Sequence, residues 1–236
     1  MTSRRDVLAH NLDAVHGRIA TACGRAGRSA DDVTLVVVTK LFPASDVRLL
    51  AELGVRHVGE NRHQEARDKA ADCADLDLVW HFIGGLQSNK AAAVAAYAGV
   101  VESLDRPKLL RGLSRGAHES GRRLDVLVQV SLDEPSGLPG PGRGGAAPAE
   151  VTALARLVVQ TEGLRLRGVM AVAPVGPDPL PAFGKLLGVA REVRLVDPAA
   201  TWISAGMSND VEEAVESGAT HVRIGSAVLG SRPSDR

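Results

Sequence analysis

The chain has 236 residues, with Lys+Arg 28 against Asp+Glu 28, a formal net charge of +0, 44% apolar residues and 3% aromatic ones. The apolar share and the ordinary 24% charge exclude a disordered or fibrous chain. The neutral balance supplies no field to hold a polyanion, so neither nucleic acid nor a membrane surface is an expected partner without a local basic patch, and none is evident.

At the start of the chain, Leu8, Leu12, Val15 and Ile19 recur at helical spacing with Asp6 and Asp13 between them, which predicts a folded amphipathic helix and not a targeting peptide. Strand candidates rich in apolar and β-branched residues then alternate with helical patterns. The strands are expected at Val33–Lys40, Arg56–Glu60, Leu78–Gly84, Val100–Asp105, Leu124–Leu132, Leu166–Val172, Thr201–Met207 and His221–Ser226. The helical segments between them are Ala44–Leu53, Arg62–Ala74, Asn89–Ala98, Arg106–Ser120, Ala149–Glu162, Leu180–Leu195 and Asp210–Ser217, each with apolar residues at i, i+3 and i+4. Gly54, Gly99, Gly163 and Gly218 follow four of these where a C-cap favours glycine, and Ser88 and Asn89 are expected to cap the helix after strand 3.

Runs such as Leu35-Val36-Val37-Val38 and Val126 to Val130 lack polar alternation, as in parallel sheets covered on both faces. Eight βα units in a chain of this length predict α/β architecture: a single (β/α)₈ TIM barrel over residues 1–236, with the extra N-terminal helix over one end. An open doubly wound sheet is the alternative. Ala91 to Val101, the longest apolar run, is too short to span a bilayer, and Cys23 and Cys73 lie too far apart for zinc or redox spacing, so no metal is expected. Pro135 to Pro148, rich in Gly and Pro, reads as a mobile loop after strand 5.

Barrel enzymes place their chemistry at the C-terminal strand ends. Lysine is scarce here, five against twenty-three arginines, yet Lys40 closes the most apolar strand. Spacing alone leaves two readings: a lysine that snorkels to water, or an amine held partly desolvated at the barrel mouth, ready to form a Schiff base with a carbonyl. Asn61 is either a helix cap or a ligand contact, and His81 is more simply a satisfied core histidine than a catalyst. The loops Ser204-Ala205-Gly206-Met207-Ser208-Asn209-Asp210 and Arg223-Ile224-Gly225-Ser226 each open a helix after strands 7 and 8, where barrels commonly bind phosphate. The Gly140–Gly145 and Gly184-Lys185 segments fail as nucleotide loops for want of the required neighbours.

A Schiff-base lysine opposite a phosphate cradle suggests pyridoxal 5′-phosphate, an aldehyde that carries a phosphate. Seven ordered motifs agree: Val38-Thr39-Lys40 with Pro43, Gly59-Glu60-Asn61, Trp80-His81-Phe82-Ile83-Gly84, Leu86-Gln87-Ser88-Asn89-Lys90, Gly168-Val169-Met170, Gly206-Met207-Ser208 with Asp210, and Arg223-Ile224-Gly225-Ser226-Ala227. With these the chain, from about Val33 to Gly230, resembles the pyridoxal phosphate homeostasis protein family (YggS/PROSC-like), which is similar to the barrel domain of bacterial alanine racemase. The resemblance implies that Lys40 carries the cofactor as a Schiff base and that Ser204, Gly225 and Ser226 hold the phosphate, with Gly206 also at the cofactor. It places Asn61 and Met170 near the cofactor and makes Arg223 the partner of the pyridine nitrogen. A guanidinium only donates, so the nitrogen facing it stays unprotonated and the ring is a weak electron sink. Ala205, Leu229, Ser226 and Gly85 depart from the family's usual residues, and the loop after strand 5 lacks the lysine many relatives carry.

A two-base racemase needs a second proton donor, generally a tyrosine from another domain or subunit. The sole tyrosine, Tyr97, is expected away from the strand-end face, and the chain has no room for a second, all-β domain. The resemblance therefore implies no catalytic residue: a cytoplasmic, monomeric carrier that buffers or delivers pyridoxal phosphate, with cofactor-dependent apo-enzymes as candidate recipients. The rivals are an amino-acid racemase or other cofactor-dependent enzyme using Lys40 as base, and a Schiff-base aldolase. Lys90 is a further candidate for handling the cofactor.

Overall fold

In a computed structural model, which describes residues 2–133, 144–174 and 178–231, all eight expected strands form, and they close into one barrel in chain order. They are β1 (Thr34–Val38), β2 (His57–Glu60), β3 (Val79–Phe82), β4 (Val100–Leu104), β5 (Leu124–Gln129), β6 (Leu164–Met170), β7 (Trp202–Ser204) and β8 (His221–Ile224). Every neighbouring pair is parallel, and β1 closes on β8 with Val36 opposite Arg223. This is the closed barrel and not the open sheet.

Several strands end earlier than their apolar runs do. β1 stops at Val38 because the chain turns at Leu41, which takes a left-handed φ of 67°. β7 stops at Ser204 because the backbone turns at Gly206, where φ is 91° and a Cβ would lie 2.6 Å from that of Ala214. Residues 134–143 of the loop expected after strand 5 lie outside the described residues. Its last part is tied down: Ala146 bridges Val130, and Pro148 occupies the first turn of the next helix, where its missing N–H costs nothing.

The helices are α1 (Arg4–Arg25), α2 (Ala44–Glu52), α3 (His63–Asp72), α4 (Ala91–Ala95), α5 (Leu110–Glu119), α6 (Pro148–Gln160), α7 (Leu180–Val196), α8 (Val211–Glu216) and α9 (Ser226–Leu229). Of the four expected C-cap glycines, Gly54, Gly163 and Gly218 adopt positive φ and Gly99 does not. Ser88 and Asn89 cap nothing: they lie in a 3₁₀ turn, Ser88–Lys90, with no side-chain cap bond at its start.

A reciprocal Ser3–Asp6 capping box starts α1, whose buried stripe is Leu8, Leu12, Val15 and Ile19. At about 1.5–3 kcal/mol for each fully buried aliphatic side chain, this stripe is a substantial attachment. The helix packs against α8, α9 and α2. It thus joins the helical ring beside the β8–β1 seam instead of lying over one end, because α9, only four residues long, leaves that seam thinly covered. Arg4 fixes α1 to Asp46 and the Leu229 carbonyl, and Arg18 fixes it to Glu212. Among the described residues, no helix is long and apolar enough to cross a membrane.

Side chains alternate between the two faces of each strand. The inward set is only partly apolar. Val100, Leu127 and Met170 form a small cluster with Val79 and Trp202 packed against it. Beside it, at Glu102, Ser204 and Arg223, two residues further along strands that also supply this cluster or its neighbours, the interior is polar.

Candidate functional site

At the C-terminal ends of the strands lies a cavity of about 720 Å³, within the usual range for a small-molecule site. Lys40 lines it, two residues beyond the end of β1. Its side chain is half-buried and makes no hydrogen bond or ion pair with the described residues. The turn that presents it is held from behind by Lys69, which the sequence reading did not single out. The Lys69 ammonium donates to the Thr39 carbonyl at 2.7 Å, to Glu60 Oε1 at 2.6 Å and to Glu65 Oε1 at 2.7 Å. The Thr39 hydroxyl donates to the same Glu60 oxygen at 2.7 Å, and Glu65 accepts the Leu41 N–H. Burial pushes the Glu60 carboxyl upward, while the hydrogen bond and charge of Lys69 and the Thr39 hydroxyl pull it down. Lys69 and Glu60 are both buried, so this is a compensated pair, and it locks the ends of β1 and β2 to α3.

Asn61 follows β2 and lines the cavity. It does not cap α3, whose N-cap is Arg62, and its Oδ1 is buried with no partner among the described residues. Its position is set by a close approach of two backbones: a Cβ on Gly84 would come within 2.1 Å of the Asn61 carbonyl oxygen.

Met170, Arg223, Gly225 and Ser226 also face the cavity, together with Ser208, Asn209 and Asp210 from the β7–α8 loop. The hydroxyls of Ser208 and Ser226 lie 3.3 Å apart, so the loops after β7 and β8 converge as the sequence predicts. Of the eight expected site residues, Lys40, Asn61, Met170, Arg223, Gly225 and Ser226 share this wall. Ser204 and Gly206 do not line it. Gly206 forms the turn behind the wall, and Ser204 is fully buried in the barrel interior. The Ser204 hydroxyl donates its single proton to Glu102 Oε2 at 2.6 Å and accepts from Arg223 Nη1 at 2.7 Å. It has no proton left for an anion.

This interior network extends further. Arg223 Nη2 donates to the Ala171 carbonyl at 2.8 Å, and Glu102 Oε1 accepts from His81 Nδ1 at 2.7 Å. His81 Nε2 in turn lies 2.9 Å from His57 Nδ1. His81 is thus a satisfied core histidine, as expected. Burial alone would push Glu102 up, but the hydrogen bond and charge of His81, then Arg223, then the Ser204 hydroxyl overcome it and hold the carboxyl at about 2. Burial drives His57 down to about 4 and His221 down to about 3, so both are neutral. Glu102 and Lys69 each carried a faint sequence signal: a carboxylate inside the apolar strand Val100–Leu104, and a lysine four residues after Glu65.

Tyr97 does not line the cavity; its ring stacks on His63, with centroids 5.9 Å apart. Lys90 is exposed and is likewise not part of the wall.

Comparison with known proteins agrees with this geometry. Residues 10–233 match the family model described as "Alanine racemase, N-terminal domain". The "Pyridoxal phosphate homeostasis protein" of Mycobacterium tuberculosis is 41% identical over 249 residues, covering 97% of this chain and 94% of that protein. Its counterpart in Escherichia coli is 35% identical over 235 residues, covering 95% and 97%. The structure of PipY from Synechococcus elongatus with PLP bound superposes with a TM-score of 0.78 at 33% identity, covering 94% of this chain and 100% of that one. Alanine racemase from Corynebacterium glutamicum, at 14% identity and TM-score 0.70, shares the fold over 97% of this chain and 62% of its own. The chain belongs to the YggS/PROSC-like pyridoxal phosphate homeostasis family, which is related to alanine racemase by its barrel.

Proposed function

We propose that residues 1–236 form a single barrel domain that binds pyridoxal 5′-phosphate on Lys40 and buffers or delivers it without catalytic turnover. The observation that carries this reading is Lys40 itself: a half-buried amine without a partner among the described residues, in a cavity that also holds Arg223 and two converging hydroxyls. When bound, the cofactor supplies an aldehyde that condenses with a primary amine to a Schiff base, releasing water.

The residues present fit such a group. The orphaned Oδ1 of Asn61 is an acceptor in the wall for a ligand hydroxyl. Ser208 and Ser226 supply hydroxyls for an anionic group. Gly225 packs close to the Val38 carbonyl, 3.2 Å from a would-be Cβ, which holds the loop after β8 against the end of β1. The phosphate role suggested for Ser204 passes to Ser208, because the Ser204 proton is committed to Glu102. Arg223, a donor only, is suited to face an unprotonated ring nitrogen, which holds back carbanion chemistry. The similarity to pyridoxal phosphate homeostasis proteins over nearly the whole chain favours a carrier over a two-base racemase. A cytoplasmic location, a monomeric form and transfer to apo-enzymes belong to the same proposal.

Borohydride reduction of the protein loaded with pyridoxal phosphate, followed by peptide mass mapping, tests it. The expected result is a yellow protein with the reduced cofactor on Lys40. Cofactor retained covalently by Lys40→Ala would overturn the site, racemisation of amino acids by clean wild type would overturn the carrier reading, and a protein that stays colourless would favour the aldolase.

A further inference from the structure

We propose that Glu102, buried in the barrel interior, is a positioning residue for the bound cofactor: through Ser204 it fixes the Arg223 guanidinium and balances its charge. The inference rests on reading the cavity as a pyridoxal phosphate site, and it extends that reading to a residue outside the cavity wall.

The direction of each hydrogen bond follows from chemistry. A carboxylate only accepts, so His81 Nδ1 and Ser204 Oγ both carry protons toward Glu102. Ser204 has one proton and has spent it, so its oxygen must accept from Arg223 Nη1. Arg223 Nη2 is held by the Ala171 carbonyl. The guanidinium is therefore pinned at both terminal nitrogens, while the residue also faces the cavity with N–H groups to spare.

Charge supplies the second half of the argument. Arg223 is buried, and a buried cation without a counter-charge is costly. Glu102 Oε2 stands 3.8 Å from Arg223 Nη1. The other groups around Glu102 are His81 from β3, with His57 behind it on β2, and His221 from β8; the other charge acting on Arg223 is Asp210 from the β7–α8 loop. The histidines that interact with Glu102 but lie off its hydrogen bonds, His57 and His221, are neutral, so Glu102 is the interior counter-charge. With it in place, the guanidinium meets the ligand as an oriented and largely balanced donor. Without it, Asp210 alone would offset the guanidinium, and the larger net positive charge would oppose protonation of a lysine-bound cofactor.

Glu102→Gln keeps the shape and an acceptor for Ser204 but removes the charge. In the loaded full-length protein, the pH midpoint of the visible band of the lysine-bound cofactor should fall by about one unit or more relative to wild type. Ser204→Ala keeps the charge and removes the bridge; it should fold normally and release cofactor about tenfold more readily, as expected for loss of a buried hydrogen bond to a charged group. A Glu102→Gln protein that binds cofactor with an unmoved midpoint, or a Ser204→Ala protein that retains it as tightly as wild type, overturns the inference alone. A wild type that never acquires the band overturns the cofactor reading and this inference with it. Should Glu102→Gln fail to fold, the Ser204→Ala comparison decides.

Discussion

Replacing Lys69 with methionine tests how the turn bearing Lys40 is held. The ammonium satisfies Thr39 O, Glu60 and Glu65 at 2.6–2.7 Å, with its side chain 8% exposed and that of Glu60 1%. Methionine fills much of the same volume but leaves the Glu60 carboxyl buried without its cation. Breaking one side of a buried pair costs about 3–5 kcal/mol. For a chain of this size each kcal/mol moves the melting temperature by about 2–4 °C, so the midpoint should fall by roughly 6–20 °C. The loss must also depend on pH. Losing Lys69 removes a downward pull on Glu60, whose folded-state pKa is already raised, so that pKa climbs further. A group raised in this way adds stability below its unfolded pKa and loses it as pH rises through the folded value. The deficit of Lys69→Met should therefore be smaller near about pH 5 than near about pH 8, as read by thermal melts at both. A second change, Glu60→Leu, should recover part of the loss by removing the stranded carboxylate. A melting temperature within about 2 °C of wild type at both pH values would refute the reasoning, since on this scale it leaves less than about 1 kcal/mol for the whole cluster.

Lys40→Ala should leave the melting temperature of the unloaded protein nearly unchanged, within about 0.5 kcal/mol, because the amine has no partner among the described residues to lose; differential scanning fluorimetry checks this. Gly84→Ala should cost about 1–3 kcal/mol, since the added methyl meets the Asn61 backbone at 2.1 Å, and a fall in cofactor affinity should accompany the fall in the urea midpoint. Between about pH 6 and pH 4, unfolding free energy from urea titrations should fall with decreasing pH by up to about 2.7 kcal/mol per unit, because His57 and His221 take up protons when unfolded but, held down to about 4 and about 3, not when folded. His57→Gln should remove up to half of that slope, and an unchanged slope would show that His57 is not kept neutral.

The barrel was legible because each of its parts is local. A parallel strand covered on both faces is one short apolar run, such as Leu35 to Val38, and three of four cap glycines sit where the helices end. The strand-end residues Lys40, Asn61, Gly225 and Ser226 were legible for the same reason: each lies next to a visible change from strand to loop. What covers both faces also hides which residues point inward, because a run buried on both sides carries no polar alternation. Ser204 shows the consequence. As a hydroxyl just before a glycine turn it reads as an anion ligand, yet it shares the inward face with Trp202 and meets Glu102, 102 positions away, and Arg223, 19 positions away. Glu102 is hidden in the same way, since its partners come from three other strands, β3, β7 and β8. A carboxylate set two residues after Val100 is costly in an apolar interior unless other strands answer it. Its presence in the sequence therefore already demanded a buried donor network, and barrel closure alone determined that Arg223 would be one end of it.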